Sequence, residues 1–80
     1  MGDLGTVDAD LPEPAYRQLA GILTRRIRAG EWKRGPLPSV KALQHDYGVG
    51  RDTVLHALQL LREGDLIFTV AKRGSYVSPR

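Results

Sequence analysis

Three stretches with apolar residues at helical spacing, followed by two short β-type runs on either side of a polar turn, predict an α+β, mainly helical domain: three helices and then a two-stranded β-hairpin. The length sets the scale. Eighty residues suffice for one small domain and are too few for a second, ligand-sensing one. With no cysteine, neither a disulfide framework nor a Cys-based zinc site can hold so short a chain together, so packing must do it.

Residues 1–12, rich in Gly and Asp and without periodicity, read as a flexible acidic arm, and the domain is expected over 13–80. The first helix begins at Pro14, suited to a first turn, and carries Tyr16, Leu19, Ala20, Leu23 and Ile27 on one face before Gly30 stops it. Arg17, Arg25, Arg26 and Arg28 occupy its other face, where a solvated surface and phosphate contact are both open readings. Gly35, Pro36 and Pro38 then impose an extended connector, and Trp32 reads as a lid on the core, with a stacking platform for bases as the alternative.

Ser39 is placed to cap a second helix running to about Tyr47, with Val40, Leu43 and Tyr47 on one side and Lys41, Gln44 and His45 on the other. Gly48 supplies a left-handed turn and Val49 plugs the corner. The third helix runs from Gly50 or Arg51 to Gly64, burying Val54, Ala57, Leu58 and Leu61 and leaving Arg51, Asp52, Leu55, His56, Gln59 and Arg62 outward. "LIFTV" and "SYVS" form the hairpin around "AKRG", and the alternation of Leu66, Phe68 and Val70 is expected to pack it on the helices. Three helices followed by such a hairpin make a winged helix-turn-helix.

Charge narrows the partner. Asp3, Asp8, Asp10 and Glu13 precede Pro14 while all basic residues follow it, so residues 14–80 hold twelve basic against five acidic side chains, a net +7. That balance favours a polyanion, with a merely solvated basic surface as the bland alternative. No apolar run is long enough for a membrane span or signal peptide, and a cytoplasmic protein is expected. His45 and His56 lie eleven positions apart without clustered carboxylates, so no metal or other cofactor is expected. Without a nucleophile–base pair or phosphate-cradling loop, the chain does not read as an enzyme.

"YRQLAGILTRRIRAGEW", "GPLPSVKAL", "YGVGRDTVLHALQLLREGDLI" and "RGSYV" together resemble the N-terminal DNA-binding domain of the GntR family of bacterial transcription regulators, across residues 14–78. The resemblance implies that Arg51 contacts the operator, that Thr53 holds phosphate near the helix start, and that Lys41 contacts the DNA backbone, with a base contact as a further reading. Gly74 matches a wing glycine, and Lys72 and Arg73 beside it would reach the minor groove or a phosphate. Family members usually continue into a ligand-binding and dimerising domain, whereas this sequence ends just past the wing, as an excised domain or a short regulator. No effector site is expected within these residues, because so small a core has no room for a sizeable pocket.

The departures from the family pattern fall in the same places. Val40 replaces a glutamate, Gly50 a serine, Leu55-His56 an Arg-Glu pair and Lys72 the first of two wing glycines. Base contact then rests on other chemistry: Leu55 against a thymine methyl, His56 or Gln59 on a base edge, and Asp52 on a cytosine amino group or simply at the positive helix end. The candidate interface is Lys41, Gly50, Arg51, Asp52, Thr53, Leu55, His56, Gln59, Lys72, Arg73 and Gly74. The expected function is sequence-specific binding of a double-stranded operator by a homodimer, as a repressor, with helix 51–63 in the major groove and wing 66–78 on the backbone or minor groove. The competing reading is a winged-helix module that binds a protein through Leu55 and Trp32, with only non-specific DNA affinity.

Overall fold

The computed structural model describes residues 5–79; residues 1–4, the outermost part of the expected arm, and Arg80 lie outside the described residues. Three helices, α1 (Ala15–Arg28), α2 (Val40–Tyr47) and α3 (Arg51–Glu63), precede strands β1 (Ile67–Val70) and β2 (Gly74–Val77). The strands pair antiparallel, Ile67 opposite Val77 and Val70 opposite Gly74. This is the winged helix-turn-helix that the periodicities predict.

Local chemistry sets the helix ends. Pro14 stands just before α1, as its N-cap. Ser39 caps α2, its hydroxyl accepting from the Ala42 N–H at 3.0 Å. Gly48 ends α2 in the left-handed region (φ 64, ψ 39), returning its N–H to the Gln44 carbonyl, and two residues later Gly50 opens α3. That short reversal seats α2 and α3 together, with Val49 packed against the core at the corner.

The core joins Leu19, Ala20, Leu23 and Ile27 of α1, Leu43 of α2, Val54, Ala57, Leu58 and Leu61 of α3, Leu37 of the connector and Ile67 of β1. Leu19, Leu23, Leu43 and Val54 are fully enclosed. Burying four such side chains is worth roughly 6–12 kcal/mol, the scale of a small domain's whole stability. The helical faces read from sequence are buried or packed against the core, with differences confined to α1: Gln18 and Ile22 are buried although the stripe did not include them, and Tyr16, a turn before Leu19, lies outside the cluster.

The wing is oriented differently from the expectation. Phe68 and Val70 are 44% and 37% exposed, whereas Ile67 is buried at 3%. Adjacent strand residues point to opposite faces, so seating Ile67 turns Phe68 and Val70 outward. The Leu66 N–H, bonded to the Leu61 carbonyl at 2.9 Å, ties this start of the wing to the end of α3. Outside, Phe68 stacks on its cross-strand partner Tyr76, ring centroids 5.8 Å apart. The connector also joins the wing: Leu37 N–H donates to the Ser75 carbonyl at 2.8 Å and Pro36 bridges Tyr76.

Arg26 departs from its reading as one of a row of surface arginines. Its Nε and Nη2 donate to the two Glu31 carboxylate oxygens, each at 2.8 Å, while Nη1 donates to the Tyr47 hydroxyl. Its guanidinium also lies 4.6 Å from the centre of the Trp32 ring. One cation thus joins α1, the connector and the end of α2, and holds the half-buried Trp32 against the core as a lid. The hydrogen bonds from Arg26 hold the Glu31 carboxyl below its ordinary range. Before α1, buried Gln18 accepts from the Asp8 N–H at 2.7 Å and donates to the carbonyls of Asp8 and Glu13.

Two outcomes are expected from this geometry. Gly48→Ala forces a Cβ into the left-handed region and should lower unfolding free energy by about 1–2 kcal/mol, while Lys72→Gly, relieving φ 65 at the wing tip, should raise it by up to about 1 kcal/mol in urea titrations. Because the Glu31 pKa is depressed on folding, the ion pair stabilises the protein above the ordinary carboxylate range and that stability is lost as pH falls through the lowered value. Glu31→Gln should therefore be less stable than wild type at neutral pH, with the gap closing in acid.

Candidate nucleic-acid interface

The outward side of α3 has no role in the core. Arg51, Asp52, Leu55, His56, Gln59 and Arg62 are all exposed, as their spacing requires once Val54, Ala57, Leu58 and Leu61 turn inward. Leu55 stands out at 38% exposure. At the helix start Gly50 provides no side-chain cap, so the first N–H groups of α3 have no such oxygen laid over them. Gly50 is extended (φ −79), and a Cβ there would meet nothing within 4 Å; its conformation does not demand glycine. Thr53 is half-buried in the first turn.

The structure ties several of these groups down. The Gln59 amide donates to Glu63 at 3.1 Å, one turn along the helix. Arg62 Nη1 donates to the Thr69 hydroxyl at 3.2 Å, and Thr69 in turn pairs with Ser75 at 3.2 Å, a polar chain that braces both wing strands on α3. His56 lies flat against Tyr16 of α1, ring centroids 3.7 Å apart and planes 2° from parallel. Neither brace was visible in the sequence, since each joins residues on different elements; the one available sign was an aromatic at the end of the α1 stripe.

The wing tip meets the start of α2. Arg73, Gly74 and Ser75 line a cleft of about 300 Å³ with Pro38, Ser39, Val40 and Leu58, which brings the wing tip, the α2 N-terminus and α3 together. Lys41 is exposed in the first turn of α2, and Lys72 and Arg73 are exposed on the wing. Gly74 suits its backbone: its φ of 111 is a conformation that side chains rarely adopt. Lys72, where the family pattern has glycine, adopts the left-handed conformation itself (φ 65).

Other chemistry is sparse among the described residues. No three His, Asp or Glu side chains come together to hold a metal ion. No helix is long and apolar enough to cross a membrane. A surface groove of about 730 Å³ runs between residues 6–13 and α1, lined by none of the interface candidates.

Comparison with known proteins agrees with this architecture. Residues 15–77 match the family of bacterial regulatory proteins called gntR. The chain is 41% identical over 66 residues to the mannosyl-D-glycerate transport/metabolism system repressor MngR of Escherichia coli (strain K12), covering 81% of this chain and 28% of the relative. It is 33% identical over 73 residues to the transcriptional repressor NagR of Bacillus subtilis (strain 168), covering 90% and 30%. The aligned part thus spans less than a third of either relative. Among solved structures, YtrA from Sulfolobus acidocaldarius, a GntR-family transcription factor, superposes with a TM-score of 0.83 at 32% identity, covering 98% of this chain and 83% of that one. Helix order, wing and sequence match agree over nearly the whole described chain: the protein belongs to the GntR family of bacterial regulatory proteins.

Proposed function

We propose that residues 13–80 form a DNA-binding domain that places α3 in the major groove of a double-stranded operator, with the wing on the backbone or minor groove, as part of a cytoplasmic transcription repressor. The observation that carries this reading is the outward arc of α3, six exposed side chains on a helix whose other side is locked into the core. A helix of this width fits the major groove of B-DNA. The repressor assignment follows the functions named for MngR and NagR. Blocking a promoter needs occupancy and no catalysis, so no enzymatic role and no cofactor are proposed.

The residues divide by chemistry. Lys41, Lys72 and Arg73 supply mobile cations for phosphates, and the N–H groups after Gly50, with the Thr53 hydroxyl, offer hydrogen bonds at the positive helix end. Arg51 is the proposed base reader at the start of the helix, with Leu55 against a thymine methyl and His56 and Gln59 on base edges. Asp52 fits a cytosine amino group and also favours the helix N-terminus. Two copies on a two-fold related site would place their α3 helices one helical turn of DNA apart.

The competing reading, a protein-docking module, is favoured by exposed Leu55; Trp32 does not join it, because it packs on the core beneath Arg26. Selection of bound sequences from random duplex DNA at two salt concentrations separates the readings. An enriched inverted repeat is the expected result, and uniform, steeply salt-dependent binding would leave backbone affinity alone. Arg51→Ala should lose base preference at one position of each half-site, by about 1–3 kcal/mol; unchanged preference would remove Arg51 from readout. Lys72→Ala with Arg73→Ala should weaken binding to all sequences alike and lower the log–log salt slope by about 1 for each phosphate that is no longer neutralised.

A further inference from the structure

Tyr16 occupies the position in α1 where a core residue would be expected, yet it lies outside the core cluster and is half-buried. Its ring instead lies 3.7 Å from that of His56, with the planes 2° from parallel. A face-to-face stack covers one face of the imidazole and leaves its edge open. Both ring nitrogens are on that edge, one a donor and one an acceptor in the neutral ring. Among the described residues neither nitrogen is engaged in a hydrogen bond.

His56 itself is exposed, four residues after Asp52 and three before Gln59, and so shares their side of α3. An unsupported histidine on a helix surface samples several rotamers and has to be ordered when it meets a base. Laid against a ring carried by a different helix, the imidazole is ordered before DNA arrives. We propose that Tyr16 is a positioning residue for base recognition: its stacked ring holds the His56 imidazole on the outward arc of α3, edge free, so that His56 discriminates one base pair of the operator. This inference rests on the DNA-binding reading above and deepens it, since it names which side chain makes His56 selective.

The geometry assigns the role to the aromatic plane of Tyr16 and not to its hydroxyl. Pre-ordering one side chain is worth roughly a three- to tenfold preference for the correct base pair. A merely structural Tyr16 would change stability, or affinity for all sequences together, and leave the pattern of base preference untouched.

The test is selection from random duplex DNA by the whole chain, followed by titration of the selected duplex and its single-base variants, for wild type, Tyr16→Ala, Tyr16→Phe, His56→Ala and the Tyr16→Ala/His56→Ala double variant. Thermal melting confirms that each is folded. Tyr16→Ala and His56→Ala should each lose about three- to tenfold discrimination at the same base pair, the double variant should lose no more than either, and Tyr16→Phe should restore wild-type preference. If Tyr16→Ala does not fold, Tyr16→Leu replaces it under the same outcomes, keeping apolar area without a planar ring. Intact preference without the Tyr16 ring, a loss spread evenly over all positions, or additive losses in the double variant would each overturn the role of Tyr16 while leaving DNA recognition standing. A wild-type protein that enriches no sequence would overturn both readings together.

Discussion

The packing of α1 across α3 is the constraint on which the other features rest. Leu19 and Leu23 from α1 meet Val54, Ala57, Leu58 and Leu61 from α3, with Leu43 of α2 completing the cluster. Because one side of α3 is immobilised in this way, the opposite side is presented at a defined angle and not merely exposed. Protein interiors are close-packed, so a helix held by interlocking side chains cannot roll without opening voids. The direction in which Arg51, Leu55, His56 and Gln59 face is thus a property of residues that never reach the surface.

Around that core, polar contacts do the orienting that apolar packing leaves open. Arg26 gathers Glu31, Trp32 and Tyr47 at the junction of α1, connector and α2. Arg62, Thr69 and Ser75 form a second chain that ties the wing to α3. These are exposed or half-buried groups whose individual contributions to stability are modest. Their value lies in geometry: hydrogen bonds are directional, and each chain joins separate elements. Tyr16 on His56 is a third brace of the same kind, made from ring planes.

The candidate interface carries small local penalties that packing would not choose. Lys72 holds a left-handed backbone where glycine would be relaxed, and the start of α3 has glycine where a capping hydroxyl would be expected. Both sit at the expected DNA-facing edge of the fold, where a cation at the wing tip and uncovered N–H groups at a helix start suit a phosphate backbone. Trp32 and Asp65 hold the same left-handed backbone away from this edge, so at Lys72 it is the cation carried at the wing tip, and not the strain, that bears on function.

The sequence by itself determined the three helices, the Ser39 and Gly48 caps, most of each buried face and the existence of the hairpin. All of these depend on near neighbours: Ser39 on Ala42, Gly48 on Gln44, and apolar residues three and four apart. It also determined the candidate interface on α3, because residues excluded from a buried stripe have only the other side left. Tertiary structure alone decided which face of the wing packs inward, since the alternation in "LIFTV" favours Leu66, Phe68 and Val70 over Ile67 and Thr69, and the pairing of Ile67 with Val77 and the tie of Leu66 to Leu61 overrode it. It decided likewise that Leu37 joins β2, that one arginine of four becomes the junction of three segments, and that Tyr16 leaves the core for His56. Each of these is a meeting of residues on different elements, some of them, as Leu37 with Ser75 and Tyr16 with His56, far apart in the chain, and periodicity, which compares a residue only with others on its own element, holds no information about such meetings.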